Sequence, residues 1–465
     1  MSDLAYLGIV EAGELMAQRK LSPVELCQAL LERIERLNPR NHAFIQVTSD
    51  LALASARAAE AEFAAGRVAG PMQGIPFGLK DIIDMAGIAT TCHSKIFADH
   101  IADTDADVTT RLNAAGGIAM GKLATHEFAI GGPSFDLPWP PAVNPWGGAH
   151  FPGGSSSGSG VAVAAGMLPA ALGTDTGGSV RNPASMCAIV GMKATYGRVS
   201  RRGVFPLSYS LDHIGPMTRT VADNAALLQV IAGYDPGDPG SADVAVSDFS
   251  EGIGQSIKGL KIGHVRHFYD GDEQAHPEMG KAVDAAAQML RELGADVQEI
   301  QLPALQEYAA CNRVIIVSEA YAIHRRFLQE RPEDYGELAR RRILAGAGIM
   351  AADYVDALRE RGRLVARTNE AMSGLDCIVT ASSLEPAPLL DDAEANARVY
   401  PRQCRPPFNV TGQPAIALPA GFSSDGLPLA IQIAGHPWQE ARVYQVAHAY
   451  EQAAGWFKQR PPGLE

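Results

Sequence analysis

Apolar residues recur at helical spacing near the start of the sequence. Ser22-Pro23-Val24-Glu25 has the pattern of a capped helix start, with a serine, a proline and then a glutamate three residues after the serine. Apolar positions then follow every three or four residues, at Leu26, Leu30, Ile34 and Leu37. This pattern predicts an amphipathic helix that ends at Asn38-Pro39. A second, alanine-rich helix is predicted over residues 50–65.

Between about residues 105 and 200, short helical patterns alternate with short apolar runs. The helical patterns cover residues 108–115 and 161–165, and the apolar runs cover 118–123 and 168–172. Such alternation predicts helices packed on a largely buried sheet.

The second half of the chain shows a similar mixture. Strand patterns at 260–265 and 296–302 flank a helix pattern at 277–293, and residues 305–372 are mostly helical and rich in Arg and Glu. A strand pair at 415–419 and 429–434 is separated by the turn Ser424-Asp425-Gly426, and a final helix follows Pro437. Because both ends of the chain have the same character, we expect both to contribute to one sheet.

Composition and charge narrow the classes of function. The chain has 465 residues, a formal charge of −13 and a pI near 5.4, so long-range attraction to nucleic acid or to an anionic membrane is not expected. The six cysteines are scattered without a CxxC pair, which favours a reducing compartment. Neither a signal peptide nor an apolar run of transmembrane length is visible, and these features predict a cytoplasmic protein.

Two segments rich in glycine and serine are the strongest chemical signal. They are Pro152-Gly-Gly-Ser-Ser-Ser-Gly-Ser-Gly160 and Gly173-Thr-Asp-Thr-Gly-Gly-Ser-Val-Arg181. Glycine lets the backbone approach a ligand and adopt positive φ, and serine supplies hydroxyl groups. One such loop is commonly only a tight turn, but two loops separated by a helical run point to a site.

Three general motifs fit this sequence poorly. Residues 154–158 match GxSxG, but the nucleophile elbow needs a preceding strand, and residues 144–152 do not have a strand pattern. Residues 116–123 are a near miss to a P-loop, with Leu123 where Ser or Thr would bind Mg²⁺. His126-Glu127-Phe128 lacks the second histidine of a zinc protease, so His126 is interpreted as a structural residue. No metal and no cofactor are predicted.

The sequence resembles the amidase signature family over nearly its whole length. The resemblance rests on residues 153–159, 173–184 and 74–81, together with 121–128, 210–219 and 421–428. It implies one amidase signature domain over residues 1–465, with the core motifs at about 70–220. The fold implied is α/β: a single α/β/α domain with a large mixed β-sheet covered by helices on both faces.

The family uses a Ser–cis-Ser–Lys triad, which the resemblance assigns to Lys80, Ser155 and Ser179. Serine is a weak nucleophile and needs a base, and a lysine serves as base only when its surroundings favour the neutral form. The residues before Lys80, Ile75-Pro-Phe-Gly-Leu79, are mostly apolar and suit that demand. In this scheme Ser155 relays the proton between Ser179 and Lys80, and the Gly154–Ser155 peptide bond is expected to be cis.

Backbone N–H groups near glycines can converge on a developing negative charge. The predicted oxyanion hole is therefore formed by the consecutive residues Thr176, Gly177, Gly178 and Ser179. Supporting roles are expected for three further residues, Asp175, Arg181 and Ser156.

The predicted activity is hydrolysis of the C–N bond of amides, anilides or carbamates (urethanes) through an acyl-enzyme. The expected partner is such a small-molecule substrate, without nucleic acid or membrane, and a homodimer is possible. The main alternative is the glutaminase (A) component of a tRNA-dependent amidotransferase, which would need a partner to deliver ammonia. An inactive binding module is a third hypothesis, against which the intact Lys80, Ser155 and Ser179 argue.

Substrate preference is predicted from departures from the family pattern. Ala124, Ala381 and their neighbours replace larger or stiffer residues of many relatives, which suggests a wide, apolar pocket. Trp139 and Trp146 flank a proline-rich segment that could form an aromatic rim. Within the motif segments, Arg181 is the basic residue considered as a partner for a substrate carboxylate. Because its expected role is structural, no partner for a charged substrate is predicted there. Neutral aryl amides or carbamates are therefore expected to be better substrates than glutamine.

Overall fold

The computed structural model describes residues 4–464, and in this part of the chain the strands form one mixed sheet. The strands are β1 (Phe44–Val47), β2 (Pro76–Lys80), β3 (Ile118–Leu123), β4 (Ala170–Asp175), β5 (Val190–Lys193), β6 (His213–Thr218), β7 (Lys261–His264), β8 (Asp296–Glu299), β9 (Cys377–Ala381), β10 (Ala415–Phe422) and β11 (Pro428–Gly435). Their order across the eleven-stranded sheet is β1-β3-β2-β4-β6-β5-β10-β11-β9-β7-β8.

Helices flank this sheet. They are α1 (Ile9–Ala17), α2 (Pro23–Asn41), α3 (Ser49–Ala64), α4 (Asp107–Ala114), α5 (Ser157–Ala164), α6 (Arg181–Met186), α7 (Val221–Ile231), α8 (His267–Asp270), α9 (Pro277–Glu292), α10 (Leu305–Glu330), α11 (Glu337–Leu344), α12 (Ala351–Ala371), α13 (Ala393–Val399), α14 (Pro406–Thr411) and α15 (Glu440–Ala454). No helix within residues 4–464 has the length and apolar character needed to cross a lipid bilayer.

The predicted fold class is confirmed. The sheet contains both parallel pairs, such as β2 with β4, and antiparallel pairs, such as β10 with β11. The C-terminal pair β10 and β11 lies in the interior of the sheet that also contains β1 to β4. Both ends of the chain therefore build one sheet, as the sequence pattern predicted.

The predicted end of the first long helix is wrong. α2 continues to Asn41, and Pro39 lies in its last turn. The Asn38 side chain exchanges two hydrogen bonds with the backbone of Phe44, at 2.8 and 3.1 Å, and these bonds hold the chain just beyond the helix. His42 ends the helix in the left-handed conformation, with φ of 49°. The side chain of Asn38 thus supports a turn that proline alone would weaken.

The topology brings the ends of two central strands together. β2 and β4 are parallel neighbours, with Leu79 opposite Leu172 in the register. β2 ends at Lys80 and β4 ends at Asp175, so both side chains lie at the same edge of the sheet. β4 also pairs with β6 in antiparallel orientation, which places His213 opposite Asp175.

A buried ion pair holds the end of β2 against β3. Lys122 Nζ lies 3.0 Å from Asp81 Oδ1, and both side chains are fully buried. Lys122 also donates hydrogen bonds to the hydroxyl of Thr90 and the carbonyl of Ala89. Because a buried charge is costly unless it is paired, each member of this pair depends on the other.

We predict that Lys122→Met lowers the free energy of unfolding by about 3–5 kcal/mol, since it leaves the Asp81 carboxylate buried and unpaired. Chemical denaturation of the purified variant measures this loss. The control is Lys261→Met, which changes an exposed lysine of β7 and should cost about 0.5 kcal/mol or less. Equal effects of the two substitutions would contradict a stabilising role for the pair.

Candidate active site

Lys80 is fully buried, yet its amine is hydrogen-bonded to two hydroxyl groups. Nζ donates to Ser155 Oγ and to Thr174 Oγ1, both at 2.7 Å. Burial lowers the pKa of Lys80 to about 7, against the attraction of the Asp212 and Asp175 carboxylates, which acts to raise it. Burial therefore favours the neutral amine, which is able to accept a proton.

The loop that carries Ser155 begins with the predicted cis peptide bond between Gly154 and Ser155. Gly154 has no room for a side chain, because a Cβ there would lie 2.0 Å from the ring of His126. The backbone N–H of His126 donates to the carbonyl of Ser155 at 3.0 Å. His126 therefore packs against this loop and supports it, which agrees with its interpretation as a structural residue.

Ser156 links the two glycine–serine loops. Its backbone N–H donates to the carbonyl of Ser179 at 3.2 Å, and its hydroxyl bonds to the backbone of Thr174. Ser179 is thereby placed beside the loop of Ser155. Ser155 is hydrogen-bonded to Lys80, as the proposed relay requires. The Ser179 hydroxyl forms no hydrogen bond to another described residue, so the second link of the relay, from Ser179 to Ser155, is not formed. Catalytic hydrogen bonds often form only once a substrate is bound.

A buried network fixes the segment that contains Ser179. Arg181 donates to both carboxylate oxygens of Asp175, at 3.0 Å each, and to the side chains of Asn409 and Gln432. Burial acts to raise the pKa of Asp175, but the Arg181 guanidinium and the Asn409 amide outweigh it and hold that pKa below its usual range. Asp175 therefore remains a carboxylate and accepts hydrogen bonds from the loop.

The backbone amides around Ser179 divide into two groups. The N–H groups of Gly178 and Val180 donate to the carboxylate of Asp175, at 2.8 and 3.2 Å. The N–H groups of Gly177 and Ser179 make no hydrogen bond to another described residue. Gly178 is thus turned towards Asp175, with φ of +125° and with Arg405 packed where a Cβ would lie. Of the four amides predicted for an oxyanion hole, that of Gly178 is engaged with Asp175, whereas those of Thr176, Gly177 and Ser179 form no hydrogen bond to another described residue.

Sequence reasoning missed several polar residues of this centre. They are Thr174, Asp212, Asn409 and Gln432. Asp212 accepts a 2.6 Å hydrogen bond from the hydroxyl of Thr176. Gln432 offered a signal, because it is a polar residue at a buried position in the middle of the apolar strand β11.

One side of the centre is formed by residues from distant parts of the chain. The ring of His126 lies 5.8 Å from that of Phe151 and 6.3 Å from that of Tyr400, measured between centroids. The guanidinium of Arg342, from α11, lies 5.3 Å from the centre of the Tyr400 ring. Arg342 Nη1 donates to the carbonyls of Ile130 and Gly131. A cation therefore lies near the loop of Ser155, although it is absent from the motif segments.

The two alanines expected to widen the pocket are both buried. Ala124 is 1% exposed, and Ala381 is fully buried in β9. Trp146 donates its indole N–H to the carbonyl of Cys187 and packs on Phe422, so it is part of the protein body. Trp139 contacts the ring of His93. The predicted aromatic rim is therefore not supported for Trp146, because packing and a backbone hydrogen bond hold its ring.

Within residues 4–464, no group of three or more His, Cys, Asp or Glu side chains has an arrangement that could hold a metal ion. The polar groups of the site are instead lysine, hydroxyls, amides and the Asp175–Arg181 pair.

Comparison with known proteins agrees with this geometry. The model of the Amidase family matches residues 25–444. A curated relative, the A subunit of the Glutamyl-tRNA(Gln) amidotransferase of Synechococcus sp. (strain CC9605), is 40% identical, and the alignment covers 95% of each chain.

Two solved structures are similar over nearly their full length. One, described as part of an unexpected vestigial protein complex that reveals the evolutionary origins of an s-triazine catabolic enzyme, has a TM-score of 0.90 and 32% identity, with 97% of this chain and 99% of that chain covered. The other is the A subunit of the Glutamyl-tRNA(Gln) amidotransferase of Thermotoga maritima, with a TM-score of 0.82 and 34% identity, covering 97% and 96%.

These relatives correct one expectation from the sequence. We expected a small-molecule amide, anilide or carbamate as the partner, without nucleic acid and with a homodimer as a possibility. Full-length relatives named as one subunit of a tRNA amidotransferase contradict that expectation. It depended on the negative net charge of the chain, which describes only the average surface and does not exclude partner subunits.

The family assignment itself is independent of any partner. The family match extends over most of the chain, and solved structures described as an amidase and a peptide amidase superpose on almost all of it. The chain belongs to the amidase family, whose members act on carbon–nitrogen bonds.

Proposed function

We propose that this chain hydrolyses the side-chain amide of glutamine and serves as the A subunit of a tRNA-dependent amidotransferase. The observation that carries the proposal is the near full-length identity of 38–40% to curated A subunits. In this role the ammonia released here would be used by a partner subunit. The candidate site supports the amide-cleaving half of the reaction.

The proposed chemistry starts with attack of Ser179 Oγ on the amide carbon. Ser155 takes the proton from Ser179 and passes its own proton to Lys80, to which it is hydrogen-bonded. The free amides of Gly177 and Ser179 would stabilise the resulting oxyanion. The proton then returns through Ser155 to the leaving nitrogen, the C–N bond breaks, and ammonia departs. Water attacks the acyl-enzyme by the same route and releases the acid.

Arg342 supports a substrate that carries a carboxylate. Guanidinium groups bind carboxylates with paired hydrogen bonds. Nη1 of Arg342 is engaged with the two carbonyls of Ile130 and Gly131, whereas Nε and Nη2 form no hydrogen bond within the described part of the chain. The side chain is partly exposed, and burial lowers the pKa of Arg342 below its usual value. Free glutamine would place its α-carboxylate on such a group.

A second candidate function is hydrolysis of another amide, an anilide or a carbamate. The backbone geometry favours it, because structures described as an amidase and a peptide amidase have TM-scores of 0.86 and 0.87, against 0.82 for the Thermotoga maritima protein. The same catalytic centre serves both candidates, so substrate kinetics separate them.

The first prediction from this proposal concerns the nucleophile. Ser179→Ala should lower turnover by about 10³-fold or more, because no other group forms the acyl-enzyme. Stability should change by about 0.5 kcal/mol or less, since the hydroxyl has no hydrogen bond to the described residues. Labelling with a fluorophosphonate and thermal unfolding of both proteins measure the two effects. Undiminished labelling of the variant would mean that another residue is the nucleophile.

The second prediction concerns pH. If neutral Lys80 is the base, kcat/KM for an uncharged amide should rise as pH increases through about 7 and level off above it. The rate increases with pH because the protonated amine, which dominates below the pKa of Lys80, cannot accept the proton of Ser155. Lys80→Ala should remove this limb and lower the rate by about 10²- to 10⁴-fold. A wild-type limb retained in the variant would assign the titration to another group.

The third prediction separates the two candidate functions. For the purified chain, kcat/KM should be higher for glutamine than for an acyl anilide or an aryl carbamate under one condition. Arg342→Gln should raise the KM for glutamine by about 10- to 100-fold, because hydrogen bonds to a charged group are lost. The KM for the anilide should remain nearly unchanged. Arg341→Gln, an exposed neighbour on α11, is the control.

Two results would contradict the glutamine proposal. A clear preference for the anilide or the carbamate would favour the second candidate. An equal loss of both activities in Arg342→Gln would indicate that Arg342 only holds the loop of Ile130 and Gly131.

A further inference from the structure

The carboxylate of Asp212 joins residues 176–179, called the oxyanion loop below, to the segment before β6. Oδ1 accepts the hydroxyl hydrogen of Thr176 at 2.6 Å. Oδ2 accepts the backbone N–H groups of Leu207 and Ser208, at 2.8 and 2.9 Å. Thr176 directly follows Asp175 at the end of β4 and precedes the amide of Gly177. The position of that amide is therefore fixed from two sides, by Asp175 and by Asp212.

The same carboxylate lies close enough to Lys80 to act on its charge. Asp212 and Thr174 both line a cavity of about 510 Å³ that extends away from the site between Tyr196, Phe205 and neighbouring residues. Thr174 is hydrogen-bonded to Lys80 Nζ. Thr174 thus contacts Lys80 and shares this cavity with Asp212.

We propose that Asp212 is a positioning residue that holds the oxyanion loop through Thr176 and supplies the negative charge that sets the pH at which Lys80 becomes a base. The proposal rests on the catalytic roles proposed above for Lys80 and Ser179, and it does not depend on the identity of the substrate. Asp212 lies in the motif segment 210–219, but the sequence alone assigns it no role in the mechanism.

The groups that face Lys80 come from four elements. They are Asp175 at the end of β4, Asp212 before β6, Cys92 after β2 and His126 after β3. Of these charges, Asp212 exerts the largest upward effect on the pKa of Lys80, ahead of Asp175. Burial lowers the pKa of His126 well below its usual value, so this ring is neutral and adds no charge.

Asp212 has its own surroundings. Burial raises the pKa of Asp212, while hydrogen bonds from Thr176, Ser208 and Leu207 and the charge of Arg201 lower it. Arg201 itself is paired with Asp238 at 3.0 Å. The hydrogen bonds and the Arg201 guanidinium therefore stabilise the carboxylate form of Asp212 against the effect of burial, which raises its pKa.

Glu319 of α10 provides a matched control. Its carboxylate accepts hydrogen bonds from Ser208, Ser210 and Tyr354 and so holds the same loop as Asp212. It is also buried, at 8% exposure, but it is not among the groups that act on Lys80. Glu319→Gln removes a loop anchor without removing a charge that Lys80 senses, whereas Asp212→Asn removes both.

The experiment is the rate of fluorophosphonate labelling of Ser179 as a function of pH, in full-length protein. In the wild type the rate should rise through about pH 7. In Asp212→Asn the midpoint should move down by about one pH unit, the size of effect that a neighbouring opposite charge produces, because the neutral amide no longer stabilises protonated Lys80. Glu319→Gln should lower the rate and leave the midpoint in place.

Asp212→Glu tests the same point if Asp212→Asn does not fold. It retains the charge, so its midpoint should stay at the wild-type value, while the longer side chain displaces Thr176 and lowers the rate.

Three results with the variants would overturn the proposal: an unchanged midpoint in Asp212→Asn, a lowered midpoint in Asp212→Glu, or a shift in Glu319→Gln as large as in Asp212→Asn. A wild type without a pH limb would also overturn it, and would contradict the role of Lys80. A wild type that labels with the expected limb but does not hydrolyse glutamine would instead contradict only the proposed function.

Discussion

The ion pair between Asp175 and Arg181 is the interaction on which the rest of the site depends. Both side chains are completely buried, so neither charge would be tolerated without the other. The pair also anchors the protein around it, because Arg181 reaches β11 at Gln432 and α14 at Asn409. Strands and helices near the end of the chain are thereby tied to the loop of Ser179. The pair also restrains the oxyanion loop, because the Asp175 carboxylate accepts the backbone N–H of Gly178.

Three buried lysines show how surroundings decide whether such a residue is structural or reactive. Lys122 is paired with Asp81 and therefore serves as a fixed charge between strands. Lys193 donates to two backbone carbonyls, and burial lowers its pKa well below the usual value. Lys80 donates to the hydroxyls of Ser155 and Thr174, and a hydroxyl can take up or release a proton. Of the three, only Lys80 is hydrogen-bonded to a hydroxyl that lies beside a second glycine–serine loop.

The sequence predicts the parts of this molecule whose signals are local. The periodicity of residues 277–293 predicts α9 to within one residue, and the apolar run at 118–123 matches β3. The strand β9 was not predicted, because Thr380 and the following Ser382 and Ser383 resemble a polar loop although all are buried. Their hydroxyls are satisfied by partners such as Val265 and Arg405 from elsewhere in the chain, which no local pattern reveals.

The same reasoning explains why the catalytic centre was easier to predict than the substrate. Lys80, Ser155 and Ser179 lie in glycine-rich motifs whose local geometry is specified by nearby residues. Arg342 and Tyr400, which lie beside the Ser155 loop through His126, come from segments outside the core motif region. Those segments can change without disturbing the Asp175–Arg181 anchor. The chain is similar over its full length both to a subunit of a tRNA amidotransferase and to a structure described with an s-triazine catabolic enzyme. Such similarity to different proteins fits a shared catalytic centre surrounded by segments that differ between relatives.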